Sequence, residues 1–310
     1  MTGPTPPRLV CFGNFTVDDV VLPDGQTQPG CMGGDALYAA LAARLWEPAV
    51  EMVAPVGTDL PRDVSAQIAA IGFSLSGLPR RSTATIHNRV QYDHAGGRTW
   101  TAYTSQEDFH TLSPVPADVP PLYLAAQAFL VAAMSLDAQE TLVGWLKDQT
   151  TAVVALDLQE DYIAGNEARI DAMIRQVDVF MPSEEEVRRL LGHDDWHRAA
   201  RHWAAIGPRV IVIKRGSAGS FVYDAFAERV FEVPAYPATA IDTTGAGDSY
   251  CGGFLAALTQ EPGQLVRAAR AGAVSASFAI EGLGVTPLLR ARPEDAIERL
   301  ANWQSVLGDV

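Results

Sequence analysis

Asp242-Thr243-Thr244-Gly245-Ala246-Gly247-Asp248 runs without a break into Ser249-Tyr250-Cys251-Gly252-Gly253-Phe254-Leu255-Ala256-Ala257-Leu258. The pattern is a tight glycine turn that opens an apolar helix, with one carboxylate in the helix's first turn. Backbone N–H groups at a helix start have no intrahelical partners, and the macrodipole adds partial positive charge there. An anion, phosphate above all, is the natural occupant. Gly245 and Gly247 are read as letting the backbone approach that anion and take φ angles closed to other residues. An Asp beside an anion hole repels the anion. Asp248 makes sense there if it takes a proton from a hydroxyl that attacks a phosphoryl group. Capping would explain an isolated Gly-x-Gly-Asp. Seven residues together, with both threonines and the small-residue helix behind them, point to function.

The rest of the chain sets bounds. Its 310 residues suit one large α/β domain or two small ones. With 48% hydrophobic and 19% charged residues, the core is large enough to need no staples. A net charge of −14 argues against a nucleic-acid partner, which needs clustered Lys and Arg. It does not argue against a nucleotide held by local amides and metal ions. Cys11, Cys31 and Cys251 show neither a pairing framework nor metal-ligand spacing, which fits a reducing, cytoplasmic setting. Met1 to Pro7 lacks a basic n-region and an apolar h-region and reads as a frayed tail. No segment approaches the roughly 18 apolar residues of a membrane span.

Apolar runs alternate with helical patterns. Leu9–Gly13, Met52–Gly57, Ala128–Ala132, Ala152–Leu156, Val177–Met181 and Val210–Lys214 read as strands. Ala36–Trp46, Val64–Ile71 closed by Gly72, Ala138–Lys147, Ile170–Gln176 and Glu184–Leu191 read as helices. Fully apolar five-residue strands between helices imply a parallel sheet buried on both faces. Val17–Leu22 and a hairpin, Thr85–Tyr92 joined to Arg98–Tyr103 through Gly96-Gly97, interrupt that order and do not belong to the parallel sheet.

The Asp242–Asp248 string resembles the DTxGAGD motif of the ribokinase-like (PfkB) family of sugar and nucleoside kinases. The resemblance spans nearly the whole chain in order: the Gly33-Gly34 segment, the extra strands, then the anion-hole helix. It implies an α/β fold, a ribokinase-like three-layer sandwich with a mostly parallel central sheet plus a small β-sheet lid. One kinase domain would fill residues 1–310, its lid built mainly from about 15–30 and 84–105. The implied activity is phosphoryl transfer from ATP to a substrate hydroxyl, with Asp248 as base and Gly245, Ala246 and Gly247 as anion hole. A Gly-x4-Gly-Lys-Ser/Thr motif is absent, so this is not P-loop chemistry.

Other residues carry roles that the resemblance implies. An Asp after the first strand lies at the ligand edge of a parallel sheet and can accept bonds from neighbouring sugar hydroxyls. In Gly13-Asn14-Phe15-Thr16-Val17-Asp18-Asp19 the family's spacing selects Asp18, with Asn14 alongside. A one-residue slip would select Asp19, and turn chemistry would explain both. Gly33-Gly34-Asp35 is similar to the family's Gly-Gly-Asn or Gly-Gly-Lys substrate segment. Asp35 departs from it and favours a hydroxyl-rich or amine-bearing substrate, with a plain N-cap as the alternative. Pro182-Ser183-Glu184-Glu185-Glu186 matches the region of Asn-x-x-Glu, where Glu186 organises Mg²⁺ through water and Ser183 replaces the Asn. The same residues spell a capping box.

Lys214, Gly216 and Gly219, with Ser183 and Thr243, are the implied ATP contacts, Gly216 ahead of Lys214 and Arg215. Asp242 and Thr244 would face a monovalent cation, K⁺, to which the loop after Ala273–Ile280 supplies carbonyls. An Asn that the family often has near Ala273 is absent. Asp157 at a strand end is read as either a ligand contact or a cap. The six histidines lack ligand spacing and read as structural or surface residues.

The reading that results is an ATP-dependent kinase using Mg²⁺ and acting on a small sugar or polyol, with nucleosides or inositol as runners-up. Tyr92, Trp100 and Tyr103 of the lid are candidates to stack on a base or to pack a clasp. A homodimer through the lid is expected, because a small flap exposes an apolar face and open edges. A non-catalytic sugar- or nucleotide-binding regulator is the alternative, and the intact Asp248 tells against it. A dinucleotide oxidoreductase would need Gly-x-Gly-x-x-Gly after the first strand, where Gly13 stands alone.

Overall fold

The computed structural model describes residues 5–93 and 98–307. In chain order its strands are β1 (Leu9–Phe12), β2 (Thr16–Val21), β3 (Thr27–Gly33), β4 (Val50–Val53), β5 (Asn88–Tyr92), β6 (Arg98–Ala102), β7 (Ala128–Val131), β8 (Val153–Leu156), β9 (Val179–Phe180), β10 (Val210–Lys214), β11 (Ser220–Asp224) and β12 (Arg229–Val233). Eight form one sheet in the order β12-β11-β10-β9-β8-β7-β1-β4. From β4 to β10 every pairing is parallel, and β10, β11 and β12 close the edge as an antiparallel meander.

Period-two alternation along these strands builds two cores. Leu9 and Cys11 of β1 pack on one side, with the helices Asp35–Arg44, Arg62–Ile71, Ala246–Gln260 and Leu265–Ala279. Val10 and Phe12 pack on the other, with Leu136–Gln149, Glu167–Ile174, Glu184–Leu191 and Trp196–Ile206. Both faces of the sheet are therefore buried, which is why its central strands are apolar throughout. The result is a three-layer sandwich. Strand order reverses at β1, between β4 and β7, and the carboxyl ends of the strands around that point form the ligand edge of such a sheet.

The expected elements shift in places. The strand expected over Met52–Gly57 is β4, and the chain leaves the sheet before Pro55, which has no N–H to give a ladder. β9 pairs over two residues only. The helix Trp196–Ile206 and the strands β11 and β12 had no counterpart in the sequence reading.

β3, β2, β5 and β6, in that order, form a separate four-stranded sheet. β2 and β5 run parallel, flanked by antiparallel partners. The hairpin turn at Gly96-Gly97 lies outside the described residues. Alternate residues of this sheet, among them Asp18, Val20, Asn88, Val90 and Trp100, face a cavity over the large sheet's edge. The opposite face carries Arg89, Gln91, Thr99 and Thr101, all exposed. The small sheet thus turns its apolar side toward its own chain, and what it leaves open is the edges of β3 and β6.

Candidate active site

Two helices start at one place. Gly34 caps the helix Asp35–Arg44 at φ 97°, and Gly245 caps Ala246–Gln260 at φ 70°. A Cβ on Gly34 would collide with the Asn14 carbonyl, and one on Gly245 with the Tyr38 ring. Glycine is therefore required at both positions by conformation and by space. Gly252 lets the two helices close up, since a Cβ there would strike the Ala39 carbonyl. Gly247 departs from expectation. It is outside the left-handed set, and a Cβ on it would meet Lys214 Nζ at an ordinary 3.7 Å.

Asp35 and Asp248 occupy the first turns of these helices. Both line the cavity and are half-buried. Burial pushes the Asp248 carboxyl well above the usual carboxylate range, the Asp35 and Asp157 charges push it further, and Lys214 opposes them. Asp35 is pushed up to about 7, by burial first and then by Asp157 and Asp18, against its own backbone N–H. It is not a helix cap: Gly34 holds that position and no side-chain cap bond is made.

Across the sheet edge, Lys214 Nζ donates to Asp157 Oδ1 at 2.5 Å and lies 3.5 Å from Cys251 Sγ. Burial pulls the ammonium's proton affinity down, but Asp157, Cys251 and Glu186 more than offset it, so the net direction is up. The capping box forms: Ser183 N donates to Glu186 Oε2 at 2.6 Å, and Glu186 N donates to Ser183 Oγ at 3.2 Å. Burial, then Asp157, pushes Glu186 up to about 7 against Lys214 and Ser183. A backbone bridge sets Ser183 beside Lys214. Gly216 and Gly219, with φ of 52° and 84°, turn the chain from β10 into β11, and Gly219 fits against the Val233 carbonyl. Arg215 points elsewhere, to Glu232 at 2.8 Å. Thr243 is exposed just before the anion-hole turn.

The cavity has a volume of about 720 Å³. Asp18 lies in its floor, whereas Asp19, on the other side of β2, lies 3.2 Å from His87. Of the two, Asp18 is the one that lines the cavity. Thr16 Oγ1 donates to Asp18 Oδ2 at 2.7 Å, and Asn88 N and Nδ2 donate to Oδ1 at 3.1 and 2.9 Å. A carboxylate offers about four acceptor positions, so about one is left for a ligand, not two. Burial raises the Asp18 carboxyl against those three bonds and the His87 charge. The second acceptor is Asn14. Its Nδ2 donates to the Leu112 carbonyl at 3.1 Å, while its Oδ1 is buried and has no protein partner. A buried amide oxygen in that state calls for a donor from the cavity. Gly33 keeps the space open, since a Cβ there would lie 2.6 Å from Thr16 Oγ1 and 2.9 Å from Asp18 Oδ2.

Thr244 N and Oγ1 donate to Asp242 Oδ1 at 2.8 and 2.6 Å, and Gly284 N reaches Asp242 Oδ2 at 3.4 Å. The carboxylate therefore ties the Gly245 turn to the loop after the helix Leu265–Ala279. Among the described residues no three His, Cys, Asp or Glu side chains group as direct metal ligands.

Sequence reasoning missed Thr16 and Asn88, the partners that hold Asp18, and Tyr38, the floor of the Gly245 turn. Tyr38 lies three residues after Asp35, one helical turn on, and that spacing was available as a signal. Nothing local flags Asn88, because β5 meets β2 only through tertiary pairing.

The chain matches the pfkB family of carbohydrate kinases over residues 9–292. It is 29% identical to a cytidine kinase of Thermococcus kodakarensis over 251 residues, which are 80% of this chain and 87% of that protein. The crystal structure of the Methanocaldococcus jannaschii nucleoside kinase, an archaeal member of the ribokinase family, superposes with a TM-score of 0.79 at 19% identity, covering 96% of this chain and all of that one. The Arabidopsis thaliana ribokinase complexed with ribose and ATP superposes at 0.75 and 20% identity, covering 96% and 99%. At these identities the two structures establish the fold.

Proposed function

This chain belongs to the pfkB family of carbohydrate kinases, and from that premise we propose that Asp248 is the general base for phosphorylation of a hydroxyl on a small neutral sugar or polyol, free or within a nucleoside. The chain is an ATP-dependent phosphotransferase with an alcohol acceptor. In the proposed step the acceptor oxygen bonds to the γ-phosphorus, and its proton passes to the Asp248 carboxylate. The bond from the γ-phosphorus to the β–γ bridging oxygen breaks, and ADP leaves with that electron pair. The amides of Gly245, Ala246 and Gly247 carry the charge on the transferred group. Asn14, Asp18, Gly33, Gly34 and Asp35 form the acceptor side. Ser183, Lys214, Gly216, Gly219 and Thr243 form the nucleotide side.

The observation that carries this reading is Asp248's position. It stands where two helix N-termini converge, at the floor of a cavity whose Asn14 Oδ1 and Asp18 still have room for donors. A decayed regulator would have no need to keep a carboxylate facing an anion site. When bound with the nucleotide, Mg²⁺ neutralises phosphate charge. Glu186 would hold such an ion through one of its waters, the phosphates supplying its direct ligands. Asp242, Thr244 and the Gly284 loop are the proposed monovalent site, and added K⁺ is expected to raise activity in K⁺-stripped enzyme. The open edges of β3 and β6 support a homodimer through the small sheets, which light scattering tests against the 33.2 kDa chain mass. Cys11, Cys31 and Cys251 are all unpaired, which supports a reducing, cytoplasmic setting.

ADP release with ATP and Mg²⁺ against pentoses, hexoses, inositol and nucleosides tests the reading. Acceptor-dependent release with at least one of them is expected. Release that no acceptor stimulates would overturn it.

A further inference from the structure

Asp157 follows β8 at the ligand edge of the sheet, where a ligand contact or a cap would both suit it. It is neither. Asp157 is 4% exposed and is not among the described residues that line the acceptor cavity. The one backbone N–H its carboxylate takes is that of its neighbour Leu158, at 3.1 Å, and the short turn Glu160–Tyr162 starts from Gln159. The carboxylate joins other elements instead. Oδ1 accepts from Lys214 Nζ of β10 at 2.5 Å, and Oδ2 accepts from the Cys251 thiol of the helix Ala246–Gln260 at 3.4 Å. The Asp157 carbonyl accepts from Gln139 Nε2 at 2.7 Å, and the same amide donates to the Ala132 carbonyl just past β7 at 2.9 Å. Gln139 is buried in the helix Leu136–Gln149, on the opposite face of the sheet from Cys251. One residue thus links both helical layers at the sheet edge.

Buried ion pairs are often replaceable by apolar residues at no loss of stability. What an apolar set cannot supply is the ammonium's remaining donor. An ammonium has three N–H groups. One goes to Asp157 and one toward Cys251 Sγ, 3.5 Å away, and the third makes no hydrogen bond among the described residues. Gly247 lies beside it, since an added Cβ there would meet Nζ at 3.7 Å. Gly247 and Asp248 belong to the first turn of the helix Ala246–Gln260, whose N–H groups have no intrahelical partners. Cys251 follows Asp248 by three residues and lies on the same side of that helix. By holding the ammonium and the thiol together, the Asp157 carboxylate fixes where the third donor lies relative to Asp248.

We propose that Asp157 is a positioning residue for phosphoryl transfer: one oxygen holds the Lys214 ammonium, the other holds the helix that carries Asp248, and the free N–H of Lys214 meets an oxygen of the transferred group beside Gly247. This rests on the kinase reading above and deepens it. Lys214 touches the reacting group, and Asp157 acts through Lys214. The groups that face Asp248 are Asp35 and Tyr38 of the helix Asp35–Arg44, Cys11 of β1, Asp157 after β8, Lys214 of β10 and Cys251 of its own helix. Burial pushes the phenol and both thiols up, which keeps them neutral. The Asp157 charge pushes the Asp248 carboxyl up, and the Lys214 charge pulls it down. Removing one or the other therefore moves the base in opposite directions, which a purely structural role would not do.

The test is ADP release by the full chain with ATP, Mg²⁺ and whichever of ribose, fructose, myo-inositol, cytidine or adenosine it turns over. In Asp157→Asn, kcat is expected to fall about 100-fold, the size of a misplaced group at a reacting centre. The acceptor KM is expected to stay within about threefold, because Asp157 does not reach the cavity. The acid limb of the kcat profile is expected to move down by about one pH unit in Asp157→Asn and up by about one in Lys214→Met. In the double variant, which has lost both charges, it is expected within about half a unit of the original. An acceptor KM raised about tenfold at unchanged kcat in Asp157→Asn would make Asp157 a substrate contact and overturn the role. Acid limbs that coincide in all three variants would overturn it too. If a single variant fails to fold, the double variant decides: a loss of about 100-fold in kcat is expected, and a kcat within about threefold of the original would overturn the role. No turnover of any acceptor by the unsubstituted chain would overturn the kinase reading and this role with it.

Discussion

Lys214 Nζ and Asp157 Oδ1 lie 2.5 Å apart at the ends of β10 and β8, and both side chains are nearly closed to solvent. The ammonium also lies beside Gly247, where an added Cβ would meet Nζ at 3.7 Å. Removing one partner of a buried pair strands the other's charge, at a cost of about 3–5 kcal/mol. Lys214→Met is therefore expected to lose stability of that order and kcat by about 100-fold or more. Adding Asp157→Asn is expected to restore more than half of the stability and none of the activity. Urea denaturation with steady-state kinetics checks both. A Lys214→Met enzyme with near-normal kcat would remove Lys214 from the phosphoryl site.

The buried carboxyls also set a pH dependence of stability. Asp35 is pushed up to about 7 from an ordinary 3.8, and Glu186 to about 7 from 4.5. Between those values the folded chain binds more protons than the unfolded chain, so stability falls as pH rises through the window. The net charge of −14 acts in the same sense. The ligand-free protein is expected to melt about 3 °C or more higher at pH 5.5 than at pH 8, read by calorimetry. A Tm that climbs over that range would contradict the assignment.

Asp35 and Asp248 repel each other, and this gives a kinetic test. As the proposed base, Asp248 must be ionised to accept a proton, so activity is expected to fall as pH drops through its raised pKa. In Asp35→Asn one repelling charge is gone and Asp248 ionises more easily. The acid limb of the kcat profile is expected to move down by about one pH unit. An acid limb that stays in place, or moves up, would show that the two carboxylates are not coupled.

Much of this was legible in the chain. The apolar runs Leu9–Phe12 and Ala128–Val131 marked buried parallel strands, because only a sheet covered on both faces leaves no polar alternation. Asp248, Gly245, Gly34 and Asp18 were visible because each is tied to a local signal, a turn or a strand end. The meander of β11 and β12 was not, since Phe221-Val222-Tyr223 and Val230-Phe231 are short apolar runs flanked by polar residues, with no helix between them to mark a strand. The holders of Asp18 were also hidden. Thr16 meets it two residues along β2, a spacing with no signature of its own, and Asn88 meets it only after β2 and β5, some 70 positions apart, pair in parallel. The alternative of a plain cap at Asp35 falls only in the structure, where the left-handed Gly34 before it holds the cap position one residue earlier.

Gly245 and Gly247 separate conformation from chemistry. Gly245→Ala must hold a left-handed φ, at about 1–2 kcal/mol, and push the Tyr38 ring aside, at about 1–3 kcal/mol more. A loss of about 2–5 kcal/mol in urea denaturation is expected. Gly247→Ala is helical and uncrowded, so its stability should stay within about 1 kcal/mol of the original. Its kcat should still drop, because the added methyl enters the space between the anion-hole turn and Lys214. Equal stability losses in the two variants would contradict the geometry of the turn.

Asp248→Asn measures the proposed chemistry most directly. The substitution keeps the side chain's size and removes its ability to take a proton. Phosphoryl transfer in a single turnover, with acceptor and ATP both saturating, is expected to slow by roughly 10²–10⁴-fold, the usual contribution of a general base. Nucleotide affinity is expected to hold or tighten, because a charge that repels phosphate is gone. A variant that folds normally and keeps more than about a third of the original rate would show that Asp248 is not the base.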